Sequence, residues 1–528
     1  MYEFIPYECC EELKKFIRRS VDKQTFEFEK TEFSNIKQIL FAICGYEGLK
    51  DKRLRKILID TLSEELKEEL VQKIIKGSPS PNMAGSSYTL ALSPWRNGGK
   101  IVEVLRDYFD IPNEYLPLVV GRKSTHEVLI PIGNQNALFD YQEEVRTKIN
   151  KFLLSNQNSA MVQLPTGSGK TRTSMSALVD WLNEKEVNEK KHVIWLAHTQ
   201  ELCQQASEAF RKSWLLDGTQ ELELVELWGA AKVPKYSFLS GFWVAGYVKF
   251  VNAIEKLLTI NFGELVLVID EAHKSIAPSL MKAIEVLSKN NEVKLIGLSA
   301  TPGRDSSNLL ENKLLSRLFS NHLISSDLLG SDPIVELQNR EILSPVRRYI
   351  LNTECDVDMD LNEIGEVIVN RKTLKKLAEN TSRNNQIVNA IVKQISEQKK
   401  VIVFACSVDH ARTLSILLAK TGAVACAIDC EMSSEARKLA ITSFKNNNVK
   451  VLLNYGVLST GLDVPDIGAV VITRPTASIV LYSQMIGRGM RGKFVGGTDE
   501  CVIIDILDNI SEYGGVNEVY NYFENYWQ

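Results

Sequence analysis

A chain of 528 residues with 44% hydrophobic and 24% charged residues has material for about two to four cored domains and does not resemble a disordered or fibrous composition. Its formal charge of −4 supplies no bulk attraction to polyanions, so any nucleic-acid partner has to be held by local patches and backbone amides. The segment MYEFIPYECCEELKK has no basic stretch followed by an apolar one, and no apolar run approaches the ~20 residues of a membrane span, so a cytoplasmic protein without a membrane partner is expected.

Residues 1–76 alternate charge with apolar residues at helical spacing, as in NIKQILFAICGYEGL and KRLRKILIDTLSEELKEELVQKIIK, which predicts a helical N-terminal domain. The basic cluster Lys50, Lys52, Arg53, Arg55 and Lys56 could contact phosphate, but a solvated helix face answered by the acidic run after Ser63 is the simpler reading. GSPSPNMAGSS, Gly77 to Ser87, breaks all periodicity and opens a linker and accessory segment that extends to residue 136. From residue 137 short Val/Ile/Leu runs alternate with helical stretches: AMVQL, HVIWLAH, FWVAGY, LVLVID and VKLIGLSAT. After a connector at 305–345 the alternation resumes with VIVFACS, VKVLLN, AVVITRP and CVIIDI. Such runs are the pattern of parallel strands buried on both faces, so two tandem α/β domains are expected, 137–304 and 346–512, followed by a tail at 513–528. Their functional residues belong at the carboxyl ends of the strands. The nine cysteines are scattered apart from Cys9/Cys10 and Cys426/Cys430, and no histidine cluster completes a zinc set, so reduced thiols are expected.

The first chemistry-bearing stretch is QLPTGSGKTRTS, Gln163 to Ser174. An apolar strand leads into Thr166, Gly167, Ser168, Gly169, Lys170 and Thr171 at the start of a helix. A helix N-terminus offers unpaired N–H groups and a partial positive charge, and glycines let the loop amides turn inward toward phosphate. Lys170 would reach the β/γ oxygens of ATP, and the Thr171 hydroxyl would ligate Mg²⁺. Leu164 stands where the strict phosphate-loop pattern has glycine, and on this loop alone a structural turn remains the alternative. Farther on, ELVLVIDEAHKS delivers Asp270 and Glu271 at the end of a buried strand. Paired carboxylates there suit a division of labour, with Asp270 holding Mg²⁺ and Glu271 orienting and deprotonating the attacking water.

With Asp270-Glu271-Ala272-His273, a DEAH box, the chain resembles the superfamily 2 helicases and translocases over roughly residues 137–512. LFDYQEEV resembles the family's adenine motif, with Gln142 in the base-reading position. Phe139 and Asp140 stand where the family often has Arg-Pro. WLAHTQELCQQ, with His198, and VAGYVKF, with Gly246 where threonine is usual, resemble segments that touch the nucleic-acid backbone. LSATP supplies Ser299 and Thr301, which the resemblance makes a link, with His273, between hydrolysis and domain motion. In the second domain VIVFACS resembles motif IV and ends on Ser407. YGVLSTGLDVPDI resembles motif V, with Thr460, Gly461 and Asp463, and QMIGRGMRG resembles motif VI, with Gln484, Arg488 and Arg491.

The resemblance implies two RecA-like parallel-sheet domains with a mainly helical N-terminal extension, binding ATP and Mg²⁺. Gln142, Thr166–Thr171, Gly461, Asp463 and Gln484 would hold the nucleotide, and His198, Gly246, Ser407 and Thr460 the nucleic acid. Arg488 and Arg491 lie three residues apart, so on a helix both would face one way and reach the γ-phosphate from the second domain. LAHTQEL and QMIGRGMR look most like the motors of type I and III restriction enzymes and RadD-like repair helicases, which favours DNA over RNA as partner. A further protein would then supply nuclease or specificity. The alternatives are an ATP-gated nucleic-acid-binding subunit without strand separation, or an RNA helicase.

Overall fold

The continuous apolar runs fold as strands because each has a covered layer on both sides. In the computed structural model, the described residues are all except 21–31, 75–85, 94, 96–98, 117–124, 133–136, 185–189, 236, 238, 276, 304–308, 354–358, 362–366, 370, 459–463, 477 and 507–528. The predicted linker core, much of motif V and the C-terminal tail therefore lie outside the described residues.

The first sheet contains β1 (His126–Leu129), β2 (Ser159–Gln163), β3 (Lys191–Ala197), β4 (Leu222–Leu227), β5 (Gly241–Gly246), β6 (Glu264–Asp270), β7 (Val293–Ser299) and β8 (Leu323–Ile324). Their order is β1-β4-β5-β3-β6-β7-β2-β8, parallel throughout except where β1 pairs antiparallel with β4. Side chains of a strand alternate between faces, so β3 sends Val193, Trp195 and Ala197 into one apolar cluster and Ile194 and Leu196 into another. The helices Lys170–Asn183 and Gln200–Asp217 close the first cluster with Leu178, Phe210 and Trp214. Tyr247–Leu257 and Pro278–Asn290 close the second with Phe250, Leu257 and Leu280. Each fully buried Leu, Val, Ile or Phe contributes about 1.5–3 kcal/mol, so both faces have to be covered for these strands to be stable.

The second domain contains β9 (Val346–Leu351), a small hairpin of β10 (Met359–Leu361) and β11 (Val367–Val369), then β12 (Lys400–Phe404), β13 (Ala425–Ile428), β14 (Val451–Asn454), β15 (Ile467–Ile472) and β16 (Cys501–Ile506). Its six-stranded sheet runs β13-β14-β12-β15-β16-β9, parallel at every pairing. Two parallel-sheet domains in tandem, with a helical N-terminal region, thus match the fold expected from the sequence.

The N-terminal helices Cys10–Ser20, Phe33–Cys44, Lys52–Ile59 and Glu64–Ile74 share one core with residues from the accessory segment. Tyr2 packs against Tyr115 with ring centroids 4.8 Å apart, and buried Arg55 lies over the Trp95 ring at 5.2 Å and donates to Ala91 O at 3.2 Å. Three of the basic cluster are paired locally, Lys50 with Glu47, Arg53 with Asp51 and Lys56 with Asp60. The segment 77–136 divides between two layers, its helices at Ser86–Leu92 and Lys100–Phe109 joining the N-terminal core while β1 joins the first sheet.

This helical layer sits on the second domain. Helix Phe33–Cys44 lies against helix Val408–Lys420 and β13. Tyr46 hydrogen-bonds Ser443, and Ser433 Oγ donates to Glu47 Oε1 at 2.6 Å.

Candidate active site

In the first sheet β6, β7 and β2 are neighbours, and parallel strands lie about 4.8 Å apart. Their carboxyl ends therefore bring the Gly167–Thr171 loop, Asp270-Glu271 and Ser299–Thr301 to one place. Gly167 and Gly169 have φ of +88° and +89°, a left-handed backbone that costs a side-chain-bearing residue strain. With helix Lys170–Asn183 starting directly after them, the loop amides and the helix end form a concave set of donors suited to phosphate. Lys170 and Thr171 are the first two residues of that helix. Ser168 is buried, its Oγ donating to Pro165 O at 2.8 Å, so its hydroxyl shapes the loop.

The adenine-motif residues brace this loop from behind. Gln142 Nε2 donates to Ser168 O at 2.8 Å and to Tyr141 Oη at 3.2 Å, while Tyr141 Oη donates to the same carbonyl at 2.6 Å. Gln142 Oε1 accepts from Phe139 N at 3.2 Å. Burial pushes the Tyr141 phenol well up, so it stays a neutral donor.

Glu271 has φ of +52°, a left-handed conformation at a residue with a side chain, and such strain concentrates at functional positions. It turns the chain out of β6 into the short turn Ala272–Lys274. Burial, and then the neighbouring Glu271, push the Asp270 carboxyl up. Burial also opposes ionisation of Glu271, but the cations Lys170, Lys274 and Arg488 outweigh it and hold Glu271 down. Glu271 is thus the stronger acid of the pair. His273 is forced down to about 3, chiefly by burial, and is neutral. Its Nδ1 lies 3.2 Å from Ser299 Oγ and 3.4 Å from Glu271 Oε2. Ser299 spends its own proton on Thr301 O at 2.7 Å, so Nδ1 carries the hydrogen that bridges toward Ser299. A chain Glu271–His273–Ser299–Thr301 results.

The second domain meets this site directly. Gln484 Nε2 donates to Glu271 Oε2 at 3.2 Å. A Cβ added to Gly487 would stand 2.4 Å from Thr166 Cγ2, and one on Gly167 would stand 3.1 Å from Leu343 Cδ2 and 3.9 Å from Arg491 Cγ. Arg491 therefore passes the phosphate loop, and Arg488 is near enough to depress Glu271. The expectation that both arginines share a helix face is corrected. Helix Ile479–Ile486 ends before them, Arg488 N and Gly489 N bond back to Met485 O and Ile486 O, and Arg491 bridges Leu343. The glycines at 487 and 489 let the chain turn there, and Ser344 fixes the turn by donating to Arg491 O at 2.5 Å.

The remaining predicted residues are placed differently. His198 points back to the DEAH segment, with Nε2 2.8 Å from Lys274 Nζ, and burial followed by Lys274 lowers it to about 4. Gly246 caps helix Tyr247–Leu257, and Ser407 caps Val408–Lys420 by accepting from His410 N at 3.0 Å. Thr460, Gly461 and Asp463 lie outside the described residues. Three contributors were not picked out from the sequence. Tyr247 donates to Asp270 O at 2.6 Å, Arg437 of the second domain pairs with Glu201 of the first, and Phe494 lies 5.5 Å from Phe139 between ring centroids. Phe494 had a visible signal, an aromatic between glycines just after Arg491; the other two had none. Among the described residues no cluster of three or more His, Cys, Asp or Glu could hold a metal ion by itself. The donor set Thr171 and Asp270 nevertheless fits Mg²⁺, a hard cation that takes one or two protein oxygens and completes its shell with phosphate and water.

Residues 135–304 match the family described as type III restriction enzyme, res subunit, and residues 383–493 match the helicase conserved C-terminal domain. A Schizosaccharomyces pombe protein provisionally named mitochondrial ATP-dependent helicase irc3 is 28% identical over 374 residues, 70% of this chain and 57% of that one. The EcoKI type I restriction enzyme endonuclease subunit of Escherichia coli is 22% identical over 402 residues, covering 66% and 33%. The pre-mRNA-splicing ATP-dependent RNA helicase PRP28 of Scheffersomyces stipitis is 23% identical over 440 residues, covering 78% and 84%. The chain spans about half the length of curated relatives such as the two irc3 helicases. No helix among the described residues is long and apolar enough to cross a membrane.

Proposed function

Because the chain belongs to superfamily 2, the helicases and translocases, we propose that it hydrolyses ATP at the cleft between its two sheet domains and uses the closing and opening of that cleft to move on nucleic acid. The observation that carries this reading is the bond from Gln484 to Glu271, which ties the second domain to the residue placed to activate water. The amides of the Gly167–Thr171 loop and the Lys170 ammonium hold the triphosphate. Bound Mg²⁺ supplies charge neutralisation at the phosphate oxygens, and Thr171 and Asp270 are the residues that would hold it. Glu271, kept ionised by the cations around it, takes a proton from water. Arg488 and Arg491 approach the phosphates from the second domain, where such arginines raise the rate about 10³–10⁵-fold. They reach the phosphates only in the closed cleft, so turnover and movement are coupled.

DNA is the polymer this reading favours. The match to a restriction-enzyme subunit supports it, and with it a partner protein that adds specificity or cleavage. The test is ATP hydrolysis by the purified protein with single-stranded, duplex and forked DNA and matched RNA, with Lys170→Ala as the inactive control. Stimulation by a DNA form bears the reading out, and stimulation by RNA alone reassigns the polymer. Stimulation by neither polymer makes the protein an ATP-gated subunit awaiting a partner.

A further inference from the structure

The run CVIIDI forms β16, which is buried along its whole length, yet its fifth residue is a carboxylate. Asp505 is 1% exposed. Its Oδ2 accepts twice, from Tyr482 Oη at 2.7 Å and from Arg348 Nε at 2.5 Å. Its Oδ1 is buried and has no hydrogen-bond partner among the described residues. A buried acceptor left unpaired is expensive, and an apolar side chain would serve the sheet better. Packing therefore gives no account of a carboxylate at this place, whereas the two groups it holds do.

Those groups come from different elements. Arg348 lies on β9, the edge strand that follows the connector, and β9 pairs with β16 along its whole length. Tyr482 lies on helix Ile479–Ile486, which also carries Gln484. Successive helix residues are turned by about 100°, so Tyr482 and Gln484, two apart, point to nearly opposite sides. Tyr482 reaches the sheet of its own domain, and Gln484 reaches Glu271 of the other. A hold on the first side therefore fixes the aim of the second. The apolar contacts of buried Met485 and Ile486 keep the helix down without fixing its rotation, whereas a hydrogen bond to a carboxylate is directional. Burial, and then the Asp505 carboxylate, push the Tyr482 phenol well up, so it stays a donor.

We propose that Asp505 is a positioning residue for ATP hydrolysis: backed by Arg348, it holds Tyr482 and thereby sets the rotation of the helix that presents Gln484 to Glu271. The inference rests on the hydrolysis reading above and adds to it a group outside the phosphate loop, the carboxylate pair and the arginine turn. Arg348 also joins this support to the connector, because β9 begins two residues after Ser344, whose hydroxyl donates to Arg491 O. Residues 344–348 thus steady both the helix that carries Gln484 and the turn that carries the arginines.

The experiment measures steady-state ATP hydrolysis by full-length Tyr482→Phe, Asp505→Asn and Arg348→Gln proteins, each alone and combined with Gln484→Ala. Tyr482→Phe removes one hydroxyl and keeps the ring. It should lower kcat about tenfold and change KM for ATP by less than about twofold, because the first domain holds the triphosphate. In the Gln484→Ala background the same change should cost less than about twofold, since the helix then has no amide to aim. A merely structural role would instead let the two losses multiply in full. Full multiplication, or an unchanged kcat in Tyr482→Phe, overturns the inference. Should Asp505→Asn fail to fold, Tyr482→Phe and the change at partly exposed Arg348 give the answer without it. Absence of ATP hydrolysis by the unsubstituted protein sinks the hydrolysis reading itself, whereas hydrolysis indifferent to Tyr482 sinks only this inference.

Discussion

The side-chain amide of Gln484 donates to Glu271 Oε2 at 3.2 Å, joining helix Ile479–Ile486 of the second domain to the carboxylate that follows β6 in the first. Glu271→Gln should keep nucleotide affinity while lowering ATP turnover by about 10²–10⁴-fold, the contribution of a positioned base. Gln484→Ala leaves the base in place and loosens its orientation, so a smaller loss is expected. Phosphate release in single-turnover assays checks both, and equal losses in the two variants would show that Gln484 does more than orient.

Arg488 and Arg491 stand on a turn held against the connector by Ser344. Either change to Ala should depress turnover by about 10³-fold or more while nucleotide affinity falls much less. Binding and hydrolysis measured on the same preparation separate the two effects. Loss of binding in step with turnover would make these arginines ground-state ligands.

A Cβ on Gly487 would lie 2.4 Å from Thr166 Cγ2. Gly487→Ala should therefore hold the cleft apart at the phosphate loop and cut turnover, although the first domain still binds nucleotide. Thr166→Ser removes the methyl at 2.4 Å but leaves Cβ at 2.8 Å, so the double variant should recover part of the loss. Failure of that rescue would mean that the two domains do not meet at these residues during turnover.

Three histidines besides His273 are held neutral by their surroundings. Burial is the main cause in each, lowering His192 and His198 to about 4 and His410 to about 3, with Arg383 adding to the effect at His410. His410 Nδ1 accepts from Cys406 N at 3.1 Å and Nε2 faces Asn384 Oδ1 at 3.0 Å, so the Nε2–H tautomer satisfies both. Below the unfolded value near 6.5 the unfolded chain takes up protons that the native chain refuses, and stability falls as pH falls toward the folded values. At pH 5 each site costs about 2 kcal/mol, and the three together approach the stability of a typical domain. The thermal midpoint should be nearly level above about pH 7 and fall steeply below about pH 6.5, with a shallower fall in His410→Gln. A level midpoint down to pH 5 would contradict the burial of these rings.

Both sheets and the phosphate loop were legible because a parallel strand covered on two sides writes itself as an unbroken apolar run. VIWLA and VLVID could be nothing else once their neighbours repeated the pattern. Lys170, Asp270 and Glu271 lie where the strand pattern placed them, at the carboxyl ends of β2 and β6. The arginine pair was picked out by its resemblance to motif VI, but the helix expected to carry it ends before it. Helical periodicity cannot show that the helix stops at Ile486, where two glycines permit a turn.

The docking of the helical layer was equally hidden. Ile43, Cys44 and Tyr46 look like ordinary helix-core residues in the sequence, yet that layer sits on the second domain, with Tyr46 bonded to Ser443. Sequence by itself determined the elements, their order and the chemical groups at their ends, because those follow from local periodicity and from residue type. Tertiary structure alone decided which groups meet: Gln484 with Glu271, Gly487 with Thr166, Phe494 with Phe139. Each pair is separated by hundreds of residues and joined only where two sheets face each other, and local patterning carries no record of that distance.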